Sequence, residues 1–297
     1  MSNRSKRVWK IVGTTIFWCA VAGFFVAAAL LRHSNEEARR VEQVEVIIAG
    51  RQEARFVTPK LVVGLIDNAG LNPLGVAVDS LDLAKINHVV EEYCFVERAM
   101  TYVDYNGTLT VELTQREPYM RIRTDSGYDF YLTRNMYVLP VDAGVALRLP
   151  IATGELWLPF GKSFTGSLRE WIGEGEKKSK ESYNFLCKLI NFVVLMEESE
   201  ELSGQFVQMA LVMPRTPSRK GEFQEPHIEL VPRRGGYILE FGALENVEAK
   251  FYRWRRFCES KVVDMSRGRL NVEYDGQAIW KEKKAPEKTK KKTNKKK

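Results

Sequence analysis

The chain has 297 residues, a formal net charge of +7 and 44% hydrophobic residues, enough to form folded cores. Residues 281–297 hold ten Lys and two Glu and residues 1–10 add +4, which leaves −5 for residues 11–280 and excludes a basic nucleic-acid-binding domain. Four Cys and three His are scattered without disulfide or metal-ligand spacing, so we predict no metal site, no cofactor site and no disulfide framework.

An uncharged apolar run at residues 11–31 predicts a transmembrane helix. Its 21 residues, at about 1.5 Å each, span about 31 Å, which matches a bilayer hydrocarbon core of about 30 Å. A cleaved signal peptide is the alternative, but its apolar stretch is usually about 7 to 15 residues long. Only basic charges precede the run, so we predict a cytoplasmic end at residues 1–10, one membrane crossing, a connector at 32–40 and about 250 residues outside the cytoplasm.

Residues 41–123 show the pattern of a small β-α-α-β-β domain. Residues 41–48 alternate between apolar and polar side chains, as a strand does. Two further strand-like runs meet at Asn106-Gly107, a dipeptide typical of tight hairpins because both turn positions need positive φ.

Two helices are predicted between these strands. Thr58 is a good N-cap, Pro59 suits the first helical position, and Gly70 predicts the end of the first helix. The apolar spacing of the second helix predicts that it begins near Asp79 or Ser80.

Residues 124–280 predict a second domain, a mixed β-sheet with helices on one side. Its pattern indicates a hairpin centred on residues 134–135, a strand within 147–157, a helix over 183–196, strands at 205–213, 227–231 and 236–241, a helix over 244–258 and a closing strand at 269–274. No repeat is evident, so the predicted class is α+β with two unlike domains. The Lys-rich residues 281–297 are predicted to be disordered, and a solubilising role and a lipid-tethering role are the two alternatives.

Three segments in this order resemble the FtsQ/DivIB family of bitopic cell-division proteins, in particular its Bacteroidetes-type members. They are LRLPIATG at 147–154, the run from IELVPRRGGYILEFG to ENVEAKF at 228–251, and LNVEYDGQAIW at 270–280. The resemblance implies that residues 41–123 form a POTRA-like domain and that 124–280 form the family's β-domain. The chain departs from the family pattern at residues 115–118, where Gln-Arg-Glu-Pro replaces Glu-Arg-x-Pro, and in its very short cytoplasmic end.

The resemblance also implies a function without catalysis. Family members lie in the bacterial inner membrane at the division septum, with the N-terminus cytoplasmic, and recruit FtsB/FtsL-type bitopic proteins and other divisome components. The implied mechanism is β-augmentation, in which an incoming segment pairs with the unpaired backbone of an edge strand. We predict the edge at residues 269–274, and the POTRA-like domain has a second edge around 44–48.

The predicted partner-binding residues follow from that edge and from similarity to the family. They are Arg269, Leu270, Asn271, Val272, Glu273, Tyr274, Gly276, Trp280 and Lys250. Leu270, Val272 and Tyr274 are expected on one face of the strand. Two alternatives stay open: Tyr274 and Trp280 either contact the partner or cap the domain core, and Lys250 either pairs with an acid of the partner or is a solvated helix charge.

Two other functions are weaker alternatives. An outer-membrane assembly factor with POTRA units would need the repeated alternation of a membrane barrel, which residues after 124 lack. A membrane-anchored cell-wall enzyme would need a catalytic motif, but residues 161–166 miss the GxSxG pattern, and Glu170 with Glu174 is an ordinary surface pair. We therefore predict no catalytic residue and no small-molecule substrate.

Overall fold

A computed structural model gives the fold as two units, each with its own β-sheet and helices. It describes residues 13–28, 39–50, 55–141, 144–172, 175–214 and 222–283. The first unit ends at Arg116 and the second begins at Glu117. The predicted α+β class is confirmed.

The N-terminal apolar run is helical over residues 13–28, which form helix α1. The predicted membrane span, residues 11–31, extends past α1 at both ends into residues that are not described. Within the described ranges, every helix falls short of the length or the apolar content that a membrane crossing requires. The predicted cytoplasmic end, most of the connector and residues 284–297 of the predicted Lys-rich tail lie outside the described residues. The prediction of a disordered tail from residue 281 onward is wrong for its first two residues, because Lys281 and Glu282 belong to a strand.

The first unit has the predicted β-α-α-β-β order. Its elements are β1 (Gln43–Ala49), α2 (Pro59–Asn68), α3 (Leu83–Glu91), β2 (Val96–Val103) and β3 (Thr108–Gln115). β3 lies in the middle of the three-stranded sheet, with β1 parallel to it on one side and β2 antiparallel on the other. The predicted hairpin is confirmed, and Gly107 in its turn has a φ of 81°.

Side-chain caps set where the two helices of this unit begin. The Thr58 hydroxyl accepts a hydrogen bond from the N–H of Leu61 at 3.3 Å, which confirms the predicted start of α2. α3 begins later than predicted, because Val78–Ser80 forms a separate 3₁₀ turn. Asp82 then caps α3 by accepting from the N–H of Lys85 at 2.9 Å.

Gly64, inside α2, offers a test of the first unit's stability. A Cβ at Gly64 would meet no atom within 4 Å, so the substitution Gly64→Ala is expected to raise the free energy of unfolding by about 0.5 to 1 kcal/mol. Gly70 also has open space but a φ of 71°, so Gly70→Ala is expected to destabilise. Denaturant unfolding of the two variants measures both changes in the free energy of unfolding. An increase for Gly70→Ala would contradict the argument that the positive φ at this position disfavours a side chain.

The second unit is built on a ten-stranded mixed sheet. Its elements are β4 (Pro118–Thr124), β5 (Asp129–Thr133), β6 (Tyr137–Pro140), β7 (Ile151–Gly154), β8 (Gly166–Ser167), α4 (Leu168–Ile172), α5 (Lys177–Glu198), β9 (Phe206–Val212), β10 (His227–Pro232), β11 (Tyr237–Gly242), α6 (Val247–Ser260), β12 (Gly268–Asn271) and β13 (Ile279–Glu282). The spatial order is β13-β12-β11-β10-β9-β7-β4-β5-β6-β8.

The division between the units lies earlier than the predicted one at 123/124. β4 pairs antiparallel with β5 and parallel with β7, so Pro118–Thr124 belongs to the second sheet. The composition of the chain changes near Thr124, but strand pairing decides the unit to which β4 belongs.

The core of the second unit lies between one face of the sheet and its helices. Residues of α4, α5 and α6 join the apolar side chains of the strands in one buried cluster. Phe251 of α6 is stacked on Phe192 of α5 at 5.7 Å between ring centroids and lies 5.0 Å from Phe241 of β11. α5 begins before the predicted helix at 183–196, because its first turns are polar and lack the apolar period that marks the rest.

Candidate functional site

The predicted edge strand is not at the edge of the sheet. β12 pairs in parallel with β11 on one side and antiparallel with β13 on the other, with Leu270 opposite Trp280 and Asn271 opposite Ile279. The prediction of a free edge at 269–274 is therefore wrong, because β13, the last strand in the described part of the chain, folds back and pairs with β12.

At this end of the sheet, the outermost described strand is β13, and the short strand β8 stands at the other end. Among the described residues, β13 pairs with β12 alone and stands at the end of the strand order. Ile279, Lys281 and Glu282 are exposed along it. Sequence reasoning missed these three residues, although the Asp275-Gly276 dipeptide before them is a common hairpin turn signal.

The apolar and polar residues of β12 stabilise the sheet itself. Leu270 of β12 and Val272, which directly follows the strand, are fully buried in the core. On the opposite face, the Arg269 guanidinium contacts the carboxylates of Glu229 and Glu240, and the amide of Asn271 donates to Glu240 at 2.9 Å. Burial favours a higher pKa for Glu240, but the hydrogen bonds from Arg269 and Asn271 outweigh it and lower that pKa.

The segment after β12 forms the turn that leads to β13. The N–H of Val272 donates to the Glu240 carbonyl at 3.1 Å, and the Val272 carbonyl accepts from Arg253 at 3.0 Å, so both backbone groups are used inside the domain. Glu273 lies 3.4 Å from the imidazole of His227. Gly276 adopts a φ of 74° in the turn.

Tyr274 and Trp280 have different environments in the structure, although the sequence leaves the same two alternatives open for both residues. Tyr274 is 54% exposed and does not share the buried face of Leu270 and Val272, so the prediction of one common face is wrong for it. Trp280 lies on the core side of β13, with its ring 6.3 Å from Tyr237 and 6.2 Å from Phe257. Trp280 therefore attaches β13 to the core, and Tyr274 is accessible beside it.

Lys250 is buried, which contradicts both interpretations of this residue from the sequence. Its side chain is 4% exposed, and its ammonium group donates to the Ala243 carbonyl at 2.6 Å and lies 5.1 Å from the centre of the Phe241 ring. Burial lowers the pKa of Lys250. The residue joins the first turn of α6 to the end of β11 and is neither a solvated charge nor an accessible contact for a partner.

Tyr237, beneath Trp280, predicts a loss of stability at alkaline pH. Its hydroxyl accepts from the indole N–H of Trp254 at 2.9 Å, and burial raises its pKa to about 12. An unfolded tyrosine ionises near pH 10, so the stabilisation is complete below pH 10 and is lost as the pH rises towards 12. Two pKa units correspond to about 2 to 3 kcal/mol of unfolding free energy.

Denaturant titrations between pH 8 and 12 test this prediction with Tyr237→Phe as the control. The variant cannot ionise, so its stability deficit relative to the natural chain is expected to shrink over that range. A constant deficit would show that Tyr237 does not titrate as proposed.

The first unit has an edge of its own and matches a known domain family. β1 stands at one end of its sheet, which agrees with the predicted edge around 44–48. Residues 39–114 match the family of POTRA-like domains. No curated protein sequence matches the chain. The chain therefore contains a POTRA-like domain followed by a second unit with a large mixed sheet.

Proposed function

We propose that the chain is a bitopic scaffold of the bacterial division machinery that recruits FtsB/FtsL-type proteins and other divisome components by β-augmentation at β13. A POTRA-like domain is consistent with an envelope or division scaffold. The observation that carries the proposal is the exposed edge of β13 at the end of the ten-stranded sheet. In an antiparallel strand, alternate residues direct their N–H and C=O groups away from the neighbouring strand, and these groups are free to pair with another chain.

The same proposal assigns the N-terminal apolar run to the inner membrane at the septum, with the N-terminus cytoplasmic and both units outside. Large apolar side chains of α1, including Phe17, Trp18 and Phe24, are exposed on the described helix. Exposed apolar surface of this kind favours burial in lipid or against another protein. That the chain is not an enzyme and binds no metal, cofactor or small molecule stays a prediction.

Photo-crosslinking in living cells tests the proposed interface. A photoreactive residue at Ile279 or Lys281 of the full chain is expected to capture a small bitopic coiled-coil protein. A residue at Tyr105, which is exposed on the first unit, serves as the matched control. Capture of the same protein from Tyr105 alone would contradict the assignment of β13.

The position of β13 also changes the choice of disruptive substitution. Val272→Pro would remove an N–H that bonds to Glu240 within the sheet, so it tests folding and not recruitment. Lys281→Pro and Glu282→Pro, taken one at a time, are better tests. Neighbouring residues of a strand direct their N–H groups to opposite sides, so only one of these two N–H groups points to the free side. We expect the proline at the outward N–H to lower crosslinking while β12 stays folded. Undiminished crosslinking from both variants would contradict the β-augmentation proposal.

A further inference from the structure

A groove between α5 and α6 has no role in the proposed β13 interface. It encloses about 570 Å³ and is lined by the last turns of α5, the residues that follow it and the first half of α6. We call it the α5–α6 groove and define it by Val194, Leu195, Glu198, Leu202, Phe251 and Tyr252, with Glu248 and Arg255 at its border.

The floor and walls of the α5–α6 groove are apolar and partly open to solvent. Val194, Leu202 and Phe251 are buried at its base. Leu195 is 36% exposed and Tyr252 is 55% exposed. Exposed apolar side chains beside a concave surface are typical of a site where another molecule docks.

The border of the groove is acidic. Three glutamates line it: Glu198 and Glu201 at and just after the end of α5, and Glu248 on α6. Two arginines offset part of this charge: Arg255 lies 2.7 Å from Glu201, and Arg134 lies 3.3 Å from Glu198. The net charge around the opening is therefore negative, and it favours a cationic ligand.

The walls of the groove favour a helical partner segment over an extended one. Helical backbone groups are hydrogen-bonded within their own helix, so α5 and α6 offer no free ladder to an extended segment. The lining part of each helix, Asn191–Glu198 and Glu248–Arg255, is about 10 Å long, which matches about two turns of a third helix. A docked helix would place side chains at i, i+3 or i+4, and i+7 on the apolar floor.

We propose that the α5–α6 groove binds a basic amphipathic helix of a partner protein. The chain's own Lys-rich tail does not fit, because Ala285 is its one apolar side chain apart from a proline. A second copy of the chain that docked groove to groove would bring the same acidic border and would be repelled. A partner helix with Leu-type side chains on one face and Lys or Arg beside them satisfies both the floor and the border.

A site-specific crosslink tests the proposal with a defined probe. The full chain, purified in neutral detergent, carries a photoreactive benzoylphenylalanine at Leu195. The probe is an 18-residue helical peptide of leucine and lysine, and the matched control peptide replaces each lysine with glutamate. We expect the lysine peptide to crosslink at least tenfold more than the glutamate peptide, and the yield to fall with added salt because screening weakens the attraction.

Charge-reversal variants then test whether the peptide is attracted by the glutamates of the groove or by negative charge elsewhere on the two helices. Glu198→Lys combined with Glu248→Lys is expected to lower the yield at least fivefold. Glu181→Lys combined with Glu259→Lys makes the same change of charge on the same helices away from the groove and is expected to leave the yield within twofold. Equal losses in both variants, equal labelling by both peptides, or crosslinks formed mainly between two copies of the chain would each overturn the proposal.

Discussion

The substitution Lys250→Glu is expected to lower the free energy of unfolding of the second unit by about 3 to 5 kcal/mol. Lys250 is buried, and its ammonium group donates to the Ala243 carbonyl. A carboxylate at this position could not donate to that carbonyl when ionised, and it would add negative charge near Glu273, Glu245 and Asp275. The measurement is denaturant unfolding followed by circular dichroism.

Two further variants separate the causes of this loss. Lys250→Met keeps much of the packed side-chain length but leaves the Ala243 carbonyl without its donor, so a loss of about 1 to 3 kcal/mol is expected. Arg256→Glu makes the same reversal of charge on the exposed side of α6 and is expected to cost less than about 0.5 kcal/mol. Equal losses from Lys250→Glu and Arg256→Glu would show that burial of Lys250 is not the cause.

The substitution Gly268→Ala is expected to detach β13 from β12. A Cβ at Gly268 would lie 2.4 Å from the Trp280 ring and 2.8 Å from the Lys281 carbonyl oxygen, closer than either contact allows. Because the carbonyl belongs to the backbone of β13, the strand itself has to move. We expect amide exchange of residues 279–282 to accelerate at least tenfold and crosslinking from Ile279 to fall by a similar factor.

Gly161→Ala is the matched control, since a Cβ at Gly161 meets no atom within 4 Å. It is expected to leave both the exchange rates and the crosslinking unchanged. If the amides of β13 stayed protected in Gly268→Ala, the close packing of Gly268 against Trp280 would not be what holds the strand.

The two predictions separate residues that sequence similarity had grouped as partner contacts. Lys250 and Trp280 stabilise the domain. Lys250 joins α6 to the Ala243 carbonyl, and Trp280 packs β13 against the core. Tyr274, Ile279 and Lys281 are accessible at or near the edge. A variant of the first group is expected to impair recruitment only through loss of structure, whereas a variant of the second group is expected to impair it with the fold intact.

The amino-acid sequence by itself determined the local elements. Thr58 and Pro59 set the start of α2, Asn106-Gly107 set the hairpin of the first unit, and apolar periodicity set the central part of α5. These features depend on residues a few positions apart, so they are visible in the sequence without knowledge of the fold.

Only the tertiary structure decided which strand lies at the edge and which charged side chain is buried. β12 reaches β11 through a parallel pairing after α6, and β13 then folds back over β12, so the free edge depends on pairing between distant residues. Lys250 occupies a position on α6 that periodicity alone assigns to the polar side, but the Ala243 carbonyl and the Phe241 ring surround its ammonium group. Strand order and burial follow from contacts between separate elements, and no local pattern contains them.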